Sequence, residues 1–133
     1  MTERLSSIYQ QMLSQAAAVL KALADPNRMR IFELLMQGDS CNCELNERLG
    51  LSPNLLSHHL RVLREAGLVR SRQDAVDGRW IYYSIDRAAV ARWCAWFGEL
   101  LNPARIQQRP VLCGPEGQQT TLSLAQVLGD RER

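Results

Sequence analysis

The sequence predicts a mainly α-helical fold carrying one small β-hairpin, the winged helix-turn-helix class. Three observations predict it. Apolar residues recur at the three-to-four spacing of a helix face in successive segments up to residue 67. Two of those segments are separated only by Gly50-Leu51-Ser52, the short turn of a helix-turn-helix. Directly afterwards the period drops to two on either side of Asp77-Gly78, which reads as a hairpin turn.

Each element can be justified in turn. Residues 5, 8, 12, 16, 19, 20 and 23 are apolar and form one stripe, predicting a helix over 6–24. Asp25-Pro26 stops it and starts another, with Asp25 as N-cap and Pro26 where a missing N–H costs nothing. Ile31, Leu34 and Leu35 face inward on this second helix, and Gly38 is its stop. A short third helix over 42–49 ends at Gly50. Ser52-Pro53 repeats the cap-then-proline start, and Leu56, Leu60 and Leu63 give the fourth helix its buried stripe before Gly67. Strands follow at 69–73 and 80–85, where Ile81, Tyr83 and Ile85 alternate. A last helix over 87–101 gathers Val90, Trp93, Cys94 and Phe97, and Asn102-Pro103 ends it. This divides the chain into a domain over 1–101 and a tail over 102–133, flexible or partly helical, with a further helical turn at 122–128.

Composition sets the outer limits. At 133 residues, with 46% hydrophobic and 23% charged residues, the chain has the make-up of one soluble globular domain. The longest apolar runs, such as Ala16-Ala17-Ala18-Val19-Leu20, fall far below the roughly 20 residues of a membrane helix. Met1-Thr2-Glu3-Arg4 leads into a helical pattern and shows no cleavable secretory segment, so a cytoplasmic protein is expected. Cys41, Cys43, Cys94 and Cys113 are too few and too unevenly spaced for a disulfide framework. In a reducing compartment they stay available for metal or redox chemistry.

The net charge of +2 hides an uneven distribution. Residues 1–52 carry five basic and six acidic side chains. Residues 53–92 carry seven arginines (61, 64, 70, 72, 79, 87 and 92) against four acidic residues, a net +3. The excess coincides with the fourth helix and the hairpin. Phosphate contacts supply most non-specific DNA affinity, and a helix in the major groove with a basic hairpin beside it is the winged motif. A merely solvated helix face is the plainer alternative, disfavoured because turn, helix and hairpin come together in the right order.

Several segments resemble the ArsR/SmtB family of metal-responsive winged-helix repressors. Leu20-Lys21-Ala22-Leu23-Ala24-Asp25-Pro26-Asn27-Arg28-Met29-Arg30-Ile31 is similar to that family's entry into its second helix. Leu49-Gly50-Leu51-Ser52-Pro53 and Ser57-His58-His59-Leu60-Arg61-Val62-Leu63-Arg64-Glu65-Ala66-Gly67-Leu68-Val69 resemble its recognition segment, and Asp77-Gly78-Arg79-Trp80-Ile81-Tyr82-Tyr83 its wing. The match runs from about residue 15 to 101. The resemblance implies a homodimer pairing through its first and last helices, with two recognition helices in successive major grooves of double-stranded operator DNA. Ser52, Asn54, Ser57, His58 and Arg61 are then the reading residues, and Arg64, Arg70, Arg72 and Arg79 hold phosphates. His59, just before the buried Leu60, is open between a DNA contact and a packed, hydrogen-bonded histidine.

Asp39-Ser40-Cys41-Asn42-Cys43-Glu44-Leu45 resembles the family's C-x-C thiolate sensor for arsenite, antimonite, cadmium or lead. Physical chemistry supports the match, because a helix N-terminus favours the anionic thiolate and soft thiolates select thiophilic ions. Positions i and i+2 point roughly 200° apart on a regular helix. One ion therefore reaches both sulfurs only if the first turn is irregular or unwinds, which would disturb the neighbouring recognition helix. Some arsenite sensors carry a third cysteine where this chain has Asn46. Cys113 is the expected third ligand, reaching within the chain or across a dimer. Cys94 is the competitor, although Trp93, Trp96 and Phe97 around it suggest a buried interface residue.

The inducers expected from this site are As(III) or Sb(III), with Cd(II) or Pb(II) as alternatives in the same fold. The last helix has no histidine for a zinc-, nickel- or cobalt-type site, and the second helix has no cysteine for a persulfide pair, though Cys94 keeps a thiol-redox variant open. A winged-helix protein-interaction module is the reading from another class, and the basic segment opposes it. No enzyme is expected: C-x-C lacks the redox spacing C-x-x-C, and no Cys/His/Asp constellation is visible.

Overall fold

A computed structural model describes residues 2–117 of the chain. Helix α1 spans Thr2–Leu23, α2 Pro26–Gln37, α3 Asn42–Leu49, α4 Pro53–Glu65 and α5 Arg87–Leu100. Strands are β1, Ser40–Cys41; β2, Val69–Gln73; and β3, Ile81–Ile85. The β2–β3 hairpin is the wing. The chain divides into two compact units, one ending at Glu99 and the other starting at Leu100. A 3-10 turn over Pro103–Arg105, capped by the Asn102 side chain, lies in the second.

The first unit folds around one cluster. Ala16, Val19 and Ala22 from α1 meet Ile31 and Leu35 of α2, Leu45 and Leu49 of α3, and Leu56, Leu60 and Leu63 of α4. Leu68, Val69, Tyr83, Ala89 and Trp93 extend it under the wing and α5. Helix boundaries follow from capping chemistry. The Asp25 carboxylate accepts the N–H groups of Asn27 and Arg28, at 2.9 and 3.1 Å, and these bonds hold it below the usual carboxylate range. Gly50 ends α3 with φ 65°, a left-handed conformation that glycine adopts without strain, and so turns the chain into α4.

Three differences from the sequence expectation have physical causes. Helix α1 begins at Thr2 rather than near residue 6, and the Glu3 carboxylate in its first turn suits the helix dipole. Strand β1 was not foreseen, because a two-residue strand shows no alternation. It pairs antiparallel with β3, Ser40 opposite Tyr83 and Cys41 opposite Tyr82, giving a sheet ordered β1-β3-β2. Asp77-Gly78 does not form a two-residue primed turn, since Gly78 does not adopt positive φ. The hairpin closes instead where the Asp74 N–H donates to the Trp80 carbonyl, and the Trp80 N–H donates to the Asp77 carbonyl. The helical turn expected at 122–128 lies outside the described residues. Among the described residues, no helix is long and apolar enough to cross a membrane.

Candidate nucleic-acid interface and thiolate pair

Helix α4 starts where the Ser52 hydroxyl accepts the Leu55 N–H at 3.2 Å, with Pro53 in its first turn. Leu56, His59, Leu60 and Leu63 are buried, so the remaining faces are turned outward. Ser52, Asn54, Ser57, His58, Arg61 and Arg64 are all exposed. Positions 54, 57, 58, 61 and 64 recur at three-to-four spacing, which puts polar and cationic groups on one side of the helix. Leu55, 40% exposed, lies among them; as an apolar residue on a polar face it gave no sequence signal.

His59 must be taken out of this surface. It is only 5% exposed, and its Nδ1 lies 3.2 Å from Nη1 of Arg28. Residue 59 follows an inward position by three and precedes one by one, so it falls on the apolar stripe. The packed alternative is the one the structure displays.

The arginines differ in what they touch. Arg61 Nη2 donates to His58 Nδ1 at 3.2 Å, and Arg64 Nη1 donates to the Ser71 hydroxyl at 3.0 Å. Neither of these bonds is to a carboxylate. Arg70 and Arg79 have carboxylate partners, Arg70 Nε to Asp86 at 3.0 Å and Arg79 Nη2 to Asp77 at 2.8 Å. The Asp77 carboxylate is pulled below its usual range chiefly by Arg79, and the Asp86 carboxylate chiefly by the Ala89 N–H, with Arg70 second. Arg72 instead lies over the Tyr82 ring, 4.5 Å from its centre.

The thiolate pair sits at the start of α3. Cys41 is the N-cap, with extended backbone (φ −86°, ψ 161°), and its Sγ accepts the Glu44 N–H at 3.4 Å. Cys43 is exposed, one residue inside the helix. The 200° separation expected of two helical positions therefore does not apply, because only one of the two is helical. Next to them, the Asn42 side-chain oxygen accepts the Ile81 N–H of β3 at 3.4 Å. This tie from the C-x-C segment to the wing has no local sequence signal, since its two residues lie 39 positions apart.

Cys94 is exposed within the single chain, as a residue that packs only against a second copy would be. Ala89 and Trp93 hold the inward line of α5, and the next residue turns about 100° away from it. Cys113 is exposed and belongs to the second unit. Among the described residues, no three His, Cys, Asp or Glu side chains converge in a group that could hold a metal ion.

Comparison with known proteins places this arrangement. The family model described as bacterial regulatory protein, arsR family, matches residues 25–71, from the α2 cap to the start of the wing. The transcriptional repressor SdpR of Bacillus subtilis is 32% identical over 84 residues, 63% of this chain and 90% of that protein. The arsenical resistance operon repressor of the same organism is 34% identical over 81 residues, 60% of this chain and 74% of that one. A cadmium resistance transcriptional regulatory protein, the CadC homolog of Staphylococcus aureus, is 33% identical over 96 residues, 71% of each chain. Among solved structures, HlyU from Vibrio cholerae superposes with a TM-score of 0.54 at 32% identity, over 66% of this chain and 92% of its own. A homodimeric winged helix-turn-helix DNA-binding domain from Mycobacterium bovis gives 0.58 at 28% identity, over 75% and 94%. The chain belongs to the ArsR family of bacterial regulatory proteins, winged helix-turn-helix transcriptional repressors that bind DNA and are not enzymes.

Proposed function

We propose that this repressor binds operator DNA as a homodimer, paired through α1 and α5, and releases it when arsenite or antimonite is held by cysteine thiolates. Ser52, Asn54, Ser57, His58 and Arg61 read base edges in the major groove, while Arg64, Arg70, Arg72 and Arg79 hold phosphates. Cys41 and Cys43 supply two soft donors, and Cys113 the third that such an ion prefers, with Cys94 as competitor. The resistance regulators among its relatives support a metal(loid) inducer of this class.

One observation carries the proposal: the Cys41 sulfur is itself the cap of α3. A thiolate committed to an ion gives up its role as acceptor for the Glu44 N–H, so ligation and an intact helix start compete. The segment that would be disturbed is tied to α4 through Gly50 and to the wing through β1 and Asn42. Ligand binding requires deprotonated sulfur and releases protons, so response weakens in acid.

The test titrates operator-bound protein with arsenite, antimonite, cadmium, lead and an oxidant, comparing wild type with serine variants at 41, 43, 94 and 113. Release by arsenite that is lost in Cys41→Ser and Cys43→Ser is the expected result. Normal release by both variants removes the sensor site. Failure of Cys94→Ser with a responsive Cys113→Ser reassigns the third ligand. Release by cadmium or lead alone, or by oxidant alone, moves the inducer to the second reading within the same fold.

A further inference from the structure

The contact between Arg28 and His59 has a polarity that chemistry fixes. A guanidinium only donates hydrogen bonds, so Nδ1 of His59, 3.2 Å from Arg28 Nη1, is the acceptor. The ring proton therefore sits on Nε2, and the imidazole is neutral. The same guanidinium reaches two carbonyls at the end of α1: Nε donates to Ala22 at 2.6 Å and Nη2 to Lys21 at 3.4 Å. These belong to the last turn of α1, whose carbonyls have no partner within the helix. One side chain of α2 thus joins the end of α1 to the middle of the DNA-reading helix.

The other buried side chains of α4 are Leu56, Leu60 and Leu63. Apolar burial resists separation but is non-directional, whereas a hydrogen bond to a ring nitrogen fixes an angle. Within one turn of His59, the exposed Ser57 and Arg61 lie about 200° around the helix from it, and the exposed His58 stands beside it, ring centroids 5.6 Å apart. Rotation of α4 about its axis would move those groups, and the directional bond to Arg28 opposes it beside the packed leucines.

We propose that His59 is a positioning residue for DNA recognition, setting the rotation of α4 through its Nδ1 acceptor, and that it does so only as the neutral imidazole. A protonated ring would present N–H to N–H across the Arg28 contact. The charged groups around His59 are Arg28 and Asp25 at the start of α2 and His58 on its own helix; α1 faces it through the Arg28 that its carbonyls hold. Burial pushes the His59 pKa below the usual 6.5, Asp25 opposes this, and Arg28 and His58 add to it. The sign follows. The folded state disfavours the proton, so the benefit is full above 6.5 and is lost as pH falls from there through the lower folded value.

The experiment measures affinity for a labelled duplex selected from a random pool with the wild-type protein at neutral pH. From about pH 7.5 down to the lowest pH at which helicity is unchanged, wild type loses about tenfold in affinity per protomer for each unit below the His59 titration. His59→Leu, without an acceptor, binds roughly tenfold more weakly across the whole range at unchanged helicity. His59→Asn places an oxygen near the Nδ1 position and takes no proton, so it rescues binding at neutral pH and lacks the acid loss. Parallel profiles for wild type and His59→Asn, or wild-type affinity in His59→Leu, would overturn the proposal. Nitrogen-15 spectra of the folded wild type read the tautomer without any variant: an Nε2–H ring is expected, and an Nδ1–H ring is incompatible with it.

Discussion

Helix α4 and the wing, the two elements proposed to meet DNA, are held in place by different forces. Four of the thirteen residues of α4 are buried, and its position is set from below by the core. Strand β2 buries only Val69, and its other four residues are exposed. The wing is held by backbone pairing to β3 and by carboxylate brackets. Asp74 accepts the N–H groups of Val76 and Asp77, and Asp77 grips Arg79. Apolar burial carries no titratable group and no charge for salt to screen, whereas exposed carboxylate contacts answer to both pH and ionic strength. The element proposed to read bases is therefore the firmly packed one, and the element proposed to hold phosphates the adjustable one.

The most direct way to break this contrast is to compare truncations. Leu60, 1% exposed at the centre of the α4 stripe, loses its contacts in Leu60→Ala, which costs about 2–5 kcal/mol of folding stability. Trp80, 41% exposed at the base of the wing loop, costs about 1 kcal/mol or less in Trp80→Ala despite its larger side chain. Urea denaturation of both variants measures the difference. Equal losses would mean that the wing shares the core.

DNA binding gives the next largest contrast. Arg61→Ala removes a proposed base contact, so it should cost about 1–3 kcal/mol of binding and relax preference at one position. In the wing, removing the restraint is more telling than removing the cation. Asp77→Asn frees Arg79 from its carboxylate, so affinity should rise at low salt and the salt slope steepen by up to about one. Binding isotherms over a salt series distinguish them. A fall in affinity for Asp77→Asn would show that its carboxylate shapes the wing more than it restrains Arg79.

The same division explains what the sequence revealed. Helices α2 and α3 were legible, because a glycine follows each and the Asp25-Pro26 cap opens α2. The buried stripe of α4 was equally plain from Leu56, Leu60 and Leu63. What escaped were features with no local period. Strand β1 is defined only by Tyr82 and Tyr83, some forty positions away, and the Asn42 bond to Ile81 depends on it. His59 stood undecided because a histidine on an apolar stripe is settled only by its partner, and Arg28 lies 31 residues earlier.

The smallest effect separates the two elements by pH. The Asp74 carboxylate is held below its usual range, first by the Asp77 N–H and then by that of Val76. Its folded form disfavours the proton, so the bracket contributes fully above the ordinary value of 3.8 and is lost as pH falls through the lower folded one. Amide shifts of Val76 and Asp77 should therefore titrate together with a midpoint below 3.8. The Leu55 amide, held by the Ser52 hydroxyl, has no such titration in its bond. Acid should thus act on the protein in two stages, first at His59 beneath α4 and later in the wing, where the loop can loosen while Leu56, Leu60 and Leu63 remain packed. A single transition seen at once by the Val76, Asp77 and Leu55 amides would mean that the wing and the helix are one cooperative unit. In that case the contrast between burial and carboxylate brackets would not govern how either meets DNA.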